Sequence, residues 1–222
     1  MKFILTIILM LWCFPCEAQW LKLKPIRSVK PRGILGDIES HMPAQHIYRD
    51  NDKVTWAHET THGLNSRLRQ SYSSGHNVFY VLSNNGIKLR EPPIKLSELA
   101  RSVPTQYRGS IYTLYLVQAQ QWWNDQPLYI VDEWVAYTNG TLCGIENRMN
   151  SRTQNSFEHA LECGIYTSVL MTLVEKQRSY DSKYLRSFYK WHLKRMQNIY
   201  KVLEEEGLTT KKHKQYLEIL LK

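Results

Sequence analysis

Two histidines and a glutamate stand close together in the segment His58-Glu59-Thr60-Thr61-His62. On a helix, residues four positions apart lie on the same face, so both imidazoles can reach one metal ion. Glu59 follows the first histidine and points beside the metal, where it can act as a general base toward water. Zinc suits two imidazoles with one oxygen ligand and an open fourth position. The pattern therefore predicts a catalytic zinc site.

The residues around this motif favour a helix. Asp50 or Asn51 can cap its start, and Asp52 would place a negative charge in the first turn. No proline interrupts the chain from Asp52 to Gln70. We therefore predict one helix over this range. The alternative is an ordinary helix on which both histidines are solvated or part of the core.

A catalytic zinc needs a third protein ligand from elsewhere in the chain. His76 lies in a Ser/Gly-rich loop, and His159 and Glu162 lie on a predicted amphipathic helix. Glu133 instead lies in a strongly apolar helix, where a carboxylate without a cation would be costly. We predict Glu133 as the third ligand, and a supporting or surface role for its neighbour Asp132.

The combination of His58-Glu59-Thr60-Thr61-His62-Gly63-Leu64-Asn65 with Glu133-Trp134-Val135-Ala136, 71 residues after His62, resembles the gluzincin class of zinc metallopeptidases. It is most similar to the branch that contains anthrax lethal factor and the Mlc titration factor. The resemblance implies a zincin-like fold, with His58, His62 and Glu133 as ligands and Glu59 as the base. It covers about 80 residues and rests on these short motifs.

The chain departs from that branch at two positions. Asn65 stands where the branch often has an aspartate. Gln126 stands seven residues before Glu133, where lethal factor has a tyrosine that assists catalysis, and the nearest tyrosine here is Tyr129. The resemblance therefore leaves the residue that assists the carbonyl open.

The pattern beyond the motif predicts a mainly α domain of the α+β type with one small β element. The β-type run Asn77–Leu82, the turn Asn84-Asn85-Gly86 and the alternating run Ile87–Arg90 predict a hairpin, along which an extended substrate could lie. A short strand is expected around Ile26–Val29. Helices are predicted near Ser97, over 108–124, over 128–137 with an end at Asn139-Gly140, over 155–175, over 182–206 and over 210–222.

The start of the chain predicts export. An apolar run from Phe3 to Phe14 follows Lys2, is too short to span a bilayer, and is followed by Ala18 at the expected cleavage position. We interpret 1–18 as a signal peptide and 19–222 as a single metallopeptidase domain, secreted or periplasmic, with no transmembrane anchor after cleavage. An uncleaved anchor is the alternative.

Composition limits the choice of partners. The net charge is +9, which is compatible with contact to an anionic surface, although charge for solubility is the simpler explanation. No motif for specific nucleic-acid binding accompanies the charge. Two cysteines remain after cleavage, Cys143 and Cys163, and an oxidising compartment predicts one disulfide between them.

Three functions compete on this evidence. The first is a zinc-dependent peptidase or related amide hydrolase acting on a protein or peptide. The second is an exported module in which the metal only stabilises the fold, and the third is a basic surface-binding protein without metal. Glu59 favours the enzyme, because a structural zinc site does not need a carboxylate at that position.

Overall fold

Helices form most of the chain, and a small antiparallel sheet completes it. The computed structural model describes residues 19–27, 32–72 and 75–222. Its regular elements in chain order are β1 (Trp20–Lys22), α1 (Gly33–Glu39), α2 (Lys53–Gln70), β2 (His76–Tyr80), β3 (Asn85–Arg90), α3 (Leu96–Ser102), α4 (Gln120–Trp123), α5 (Tyr129–Glu146), α6 (Asn150–Val174), α7 (Lys183–Glu205) and α8 (Lys211–Leu220). This confirms the predicted fold class, mainly α with a small β element.

The sheet has the strand order β1-β3-β2, and both pairings are antiparallel. The predicted hairpin is confirmed as β2 and β3, with Val78 opposite Lys88 and Tyr80 opposite Gly86. The third strand, β1, was not predicted, and it pairs Trp20 with Ile87. The strand expected around 26–29 is wrong for Ile26 and Arg27, which lie outside any strand, whereas residues 28 and 29 lie outside the described residues. Because β3 is the middle strand, β2 forms one edge of the sheet.

The predicted motif helix is confirmed as α2, but its cap differs from the prediction. Asp52 is the N-cap, and its carboxylate accepts the Val54 N–H at 2.9 Å. Asp50 acts one step earlier, because its carboxylate accepts the Asp52 N–H at 2.8 Å. The two aspartates in succession fix where the helix begins.

Helix α5 does not end at Asn139-Gly140, as the sequence pattern suggested, but continues to Glu146. Gly140 does not serve as a C-cap there. It lies against α2, where a Cβ would come within 3.0 Å of the Val54 carbonyl oxygen. A Cβ at Gly144 would overlap the Thr153 side chain of α6. The two glycines thus let three helices approach closely, which brings the Glu133 turn of α5 against the motif turn of α2.

The helix predicted over 108–124 is broken into shorter pieces. Within that range a π-helical stretch covers Thr113–Gln118 and α4 follows, whereas a 3₁₀ turn at Thr105–Tyr107 lies just before it. The break has a physical cause in Glu162 of α6, whose carboxylate accepts the N–H groups of Ser110 and Ile111 at 3.1 and 3.0 Å. These donors are therefore satisfied from another helix.

The predicted C-terminal helices are confirmed as α6, α7 and α8, although α6 begins at Asn150 instead of near Asn155. Asp181 lies just before α7 and accepts the Lys183 N–H at 3.0 Å. Thr210 caps α8 through the His213 N–H at 3.2 Å.

The predicted disulfide is wrong in this structure, because Cys143 and Cys163 are both free and buried. The 19 residues between them comprise the end of α5, the turn at 147–149 and the first half of α6. Cys143 lies near that turn, whereas Cys163 lies in the middle of α6, next to Gly164, whose absent Cβ would face Trp134. The two cysteines are therefore offset by about ten residues, or about 15 Å along the helix axes. A disulfide requires Cα atoms within about 7 Å.

Among residues 19–27, 32–72 and 75–222, no helix combines the length and hydropathy that crossing a bilayer requires. The predicted signal peptide, 1–18, lies outside the described residues.

Candidate metal centre

Three side chains from two helices converge at one point. The Nε2 atoms of His58 and His62 lie 3.0 Å apart. The Oε2 atom of Glu133 lies 3.6 Å from Nε2 of His58 and 3.3 Å from Nε2 of His62. The three residues are therefore positioned to hold one metal ion.

The spacing and burial of these atoms fit a metal. Donors that share a tetrahedral ion at about 2.0–2.1 Å lie about 3.4 Å from one another, close to the three observed separations. Oε2 of Glu133 is buried and has no hydrogen-bond partner within the described part of the chain. A buried carboxylate oxygen in that state is costly unless a cation compensates it. A metal ion held by the three residues would supply the compensating positive charge.

A second layer of contacts orients His62. Its Nδ1 atom lies 2.9 Å from Oδ2 of Asp132, so Nε2 is the ring atom that faces the cluster. Asn65 donates to Oδ1 of Asp132 at 2.5 Å, and its own Oδ1 accepts the Tyr80 N–H at 2.7 Å. Metal-binding histidines are commonly held in this way by a carboxylate. Of the two roles predicted for Asp132, this contact favours the supporting one, and Asn65 connects Asp132 to β2.

The two histidines differ in their electrostatic surroundings. Burial, together with the nearby His62 and His159, lowers the pKa of His58 well below its ordinary value, so this imidazole stays neutral. Burial also opposes protonation of His62, but the Glu133 and Asp132 carboxylates outweigh it and raise the pKa of His62 well above its ordinary value. A neutral His58 offers a lone pair to a metal ion, and the two carboxylates beside His62 favour a cation at the centre of the cluster.

Glu59 lies beside the cluster and outside the ligand set. Its Oε1 atom is 3.9 Å from Nε2 of His58, and its side chain is 44% exposed. Partial burial raises the pKa of Glu59, and the Glu133 carboxylate adds to this effect. A carboxylate that is close to the metal position, open to water and somewhat more basic than usual is suited to accept a proton.

The other candidate ligands lie elsewhere. Glu162 is fully buried and is used by Ser110, Ile111 and Tyr166, which all donate to its carboxylate. His159 is separated from His58 by the Tyr137 ring, with ring centroids 4.2 and 5.1 Å from it. His76 begins β2 and is not part of the cluster.

Three tyrosines around the cluster were not assigned a role from the sequence. The hydroxyls of Tyr115 and Tyr137 lie 2.6 Å apart. Burial and the nearby Glu133 carboxylate raise the pKa of both, and also that of Tyr129. Their phenols therefore stay protonated and can donate hydrogen bonds. The π-helical stretch that carries Tyr115 gave no recognisable sequence signal.

Two cavities flank the metal cluster. The larger, about 490 Å³, is called the main groove here and includes Glu59, His62 and Glu133 in its lining. Its other walls come from the α2 residues after the motif, from β2 and from the segment before α5; they are Gly63, Asn65, Ser66, Arg69, Asn77, Val78, Phe79, Glu91, Trp123, Gln126, Leu128, Tyr129 and Asp132. The smaller cavity, about 270 Å³, shares Glu59 and is lined by His58, Tyr137 and His159 among others. Glu59 thus lies where the two cavities meet.

Comparisons with models of protein families, with curated proteins and with solved structures find no match to this chain.

Proposed function

We propose that this chain is an exported zinc-dependent peptidase that hydrolyses peptide bonds in a protein or peptide substrate. The observation that carries the proposal is the convergence of His58, His62 and Glu133, with Glu59 beside them and open to a groove. A structural metal site has no need of a free carboxylate at its open side.

The donor set supports zinc as the metal. Two imidazole nitrogens and one carboxylate oxygen form a typical catalytic zinc set, which leaves a position for water or substrate. Zinc held there would polarise a carbonyl group and lower the pKa of bound water to about 7.

Other parts of the chain would supply the proton transfer, the orientation of His62 and the binding of the substrate. Glu59 accepts a proton from the attacking water and can return it to the leaving amine. Asp132 keeps Nε2 of His62 directed at the cluster. β2 lies at the edge of the sheet, and Asn77, Val78 and Phe79 line the main groove, so an extended peptide can lie beside this strand.

Metal analysis and peptide cleavage of wild type beside Glu59→Gln test this proposal. We expect about one zinc per chain in both proteins, and cleavage that falls by about a hundredfold or more in the variant, because the base is not a ligand. Equal cleavage by both proteins, or purified protein that takes up no zinc, would contradict the proposal. Zinc uptake without cleavage of any library peptide would favour the non-catalytic exported module.

The expected contact with an anionic surface has its own supporting observation. A second groove of about 890 Å³ is lined by four cationic side chains, Arg27, Arg32, Arg49 and Lys53. Two carboxylates also line it, but one of them, Glu146, accepts the Ile34 N–H at 2.7 Å. We propose that this basic groove, and not the metal centre, contacts anionic surfaces such as phospholipid headgroups.

A further inference from the structure

We infer that Arg69 binds a carboxylate of the substrate, and so determines which peptides the main groove accepts. The inference rests on the proposed peptidase function and adds a substrate class to it. Arg69 lines the same groove as Glu59, His62 and Glu133. Among the residues that line this groove, it is the one arginine or lysine.

The position of Arg69 relative to the metal follows from the helix. Arg69 comes seven residues after His62 on α2, and Ser66, between them, also lines the groove. Seven residues are two turns, so Arg69 lies on the same face as His62, about 10 Å further along the axis. An extended peptide covers that distance in about three residues. The carboxylate is therefore expected two to four residues from the scissile bond.

The guanidinium group of Arg69 is held in place before any substrate arrives. Its Cζ atom lies 5.4 Å from the centroid of the Trp123 ring, and Nη1 donates to Oε1 of Gln126 at 3.3 Å. Trp123 in turn stacks on Tyr129, with centroids 5.2 Å apart and planes 3° from parallel. A planar cation fixed on an aromatic face loses little entropy when it binds a carboxylate.

Among residues 19–27, 32–72 and 75–222, no carboxylate oxygen lies within 4.0 Å of the Arg69 guanidinium group, although its charge also acts on the more distant Glu91 carboxylate. Three of the four carboxylates that line the groove have other partners, and the fourth, Glu59, lies beside the metal cluster. Asp132 contacts His62 and Asn65, Glu133 belongs to the metal cluster, and Glu91 accepts the Leu128 N–H at 2.8 Å and a hydrogen bond from Asn77. A substrate carboxylate is the complementary group for the remaining donors of the guanidinium fork.

A peptide can supply this carboxylate from an acidic side chain or from its C-terminus. Matched peptides separate the two sources. One series moves a single Glu, or Gln as its isostere, through the positions around a known cleavage site. A second series compares the free C-terminal acid with the amide at increasing distance from that site.

The test measures kcat and KM for these pairs with wild type, Arg69→Gln, Arg69→Lys and the control Arg67→Gln. Arg67 lies on the same helix but donates to the His41 carbonyl and is not in the groove lining. We expect wild type to prefer the carboxylate peptide by about tenfold or more, mainly through KM, as a hydrogen bond to a charged group predicts. Arg69→Gln should bring the ratio close to one, Arg69→Lys should restore part of it, and Arg67→Gln should retain it.

A ratio that persists in Arg69→Gln, or a wild type indifferent to both carboxylate sources, would overturn the inference. Direct binding separates this result from a failure of the proposed function. If wild type cleaves no peptide, the peptidase proposal fails, and the peptides are then titrated into zinc-loaded wild type and Arg69→Gln, followed by tryptophan fluorescence. At least tenfold weaker binding of the acidic peptide by the variant would still support the Arg69 site, whereas equal binding would overturn it.

Discussion

Three carboxylates within one turn of the metal cluster do different work because their surroundings differ. Glu133 is 3% exposed, and its Oε2 atom lies 3.6 and 3.3 Å from the Nε2 atoms of His58 and His62, so it is positioned to hold a metal ion with them. Asp132 is held by His62 and Asn65, so it orients a ligand. Glu59 is the most exposed of the three and carries a raised pKa, which suits the role of proton acceptor that we propose for it.

Removing the Asp132 carboxylate should weaken the metal site without removing a ligand. In Asp132→Ala, His62 loses the contact that fixes its ring, and we expect metal affinity to fall by about 10–100-fold. Competition with a chromophoric chelator measures this constant. Asp125→Ala removes an exposed aspartate seven residues earlier in the chain and serves as the matched control. Equal affinity in Asp132→Ala and wild type would show that packing alone orients His62.

Glu91 should make stability depend on pH. Burial raises its pKa to about 7 from 4.5, so between these values the folded protein keeps a proton that the unfolded chain has released. The free energy of unfolding therefore falls as the pH rises from about 4.5 to about 7. Glu91→Gln has no carboxylate to ionise, so this fall is absent from the variant. The difference in free energy of unfolding between variant and wild type should therefore shift in favour of the variant by up to about 3 kcal/mol as the pH rises through the interval.

Urea unfolding of metal-free wild type and Glu91→Gln at pH 5 and pH 8 measures this effect. Glu205→Gln, which changes an exposed carboxylate on α7, is the control. If the difference between Glu91→Gln and wild type is the same at both pH values, the pKa of Glu91 is not raised in the folded state.

At the level of elements, the features predicted correctly from the sequence are those that residues close together in the chain determine. The start of α2 follows from Asp52, and the metal histidines follow from a spacing that one helix fixes by itself. The end of α5 was predicted wrongly. Gly140 is a glycine because a Cβ there would crowd the Val54 carbonyl oxygen of α2, and not because it ends the helix with a positive φ. The main groove was not predicted at all. Arg69 and Trp123 are far apart in sequence and meet only after folding.

The close approach of α5 and α6 gives a stability prediction. In Gly144→Ala the new Cβ would overlap Thr153 and lie 2.9 Å from a Val54 methyl group, so helices must move apart. We expect a loss of about 1–3 kcal/mol in the free energy of unfolding, measured by denaturant titration. Gly164→Ala is the comparison on α6, where the nearest side-chain atoms are 3.2 Å away and the loss should be smaller. No loss in Gly144→Ala would mean that this contact is loose.

The same helix pair predicts the state of the cysteines. With Cys143 and Cys163 offset by about 15 Å along the axes, no bond joins them in the folded chain. Unreduced protein that begins at Gln19, and so lacks Cys13 and Cys16, should show two reactive thiols once it is unfolded in denaturant. It should show almost none when folded, because both side chains are buried and burial raises the pKa of each thiol. A thiol count of zero in denaturant would show that Cys143 and Cys163 are bonded, and would contradict this prediction.

At the scale of the whole molecule, the charge is divided between two surfaces. The main groove combines four carboxylates with Arg69, whereas the groove beside α1 is lined by Arg27, Arg32, Arg49 and Lys53. The net charge of +9 therefore does not act uniformly. Attachment to an anionic surface through the basic groove would leave the metal centre free for substrate.

This division predicts salt-dependent binding to anionic vesicles through the basic groove. Wild type should bind phosphatidylglycerol vesicles more tightly than phosphatidylcholine vesicles in a sedimentation assay, and the difference should shrink as salt screens the charges. Arg27→Gln with Arg49→Gln removes two groove cations, each contributing about 1 kcal/mol near such a surface, so affinity should fall by about tenfold or more. Lys176→Gln with Arg178→Gln removes the same charge from an exposed turn outside the groove. An equal fall in both double variants would mean that total charge, and not this groove, attracts the protein to the surface.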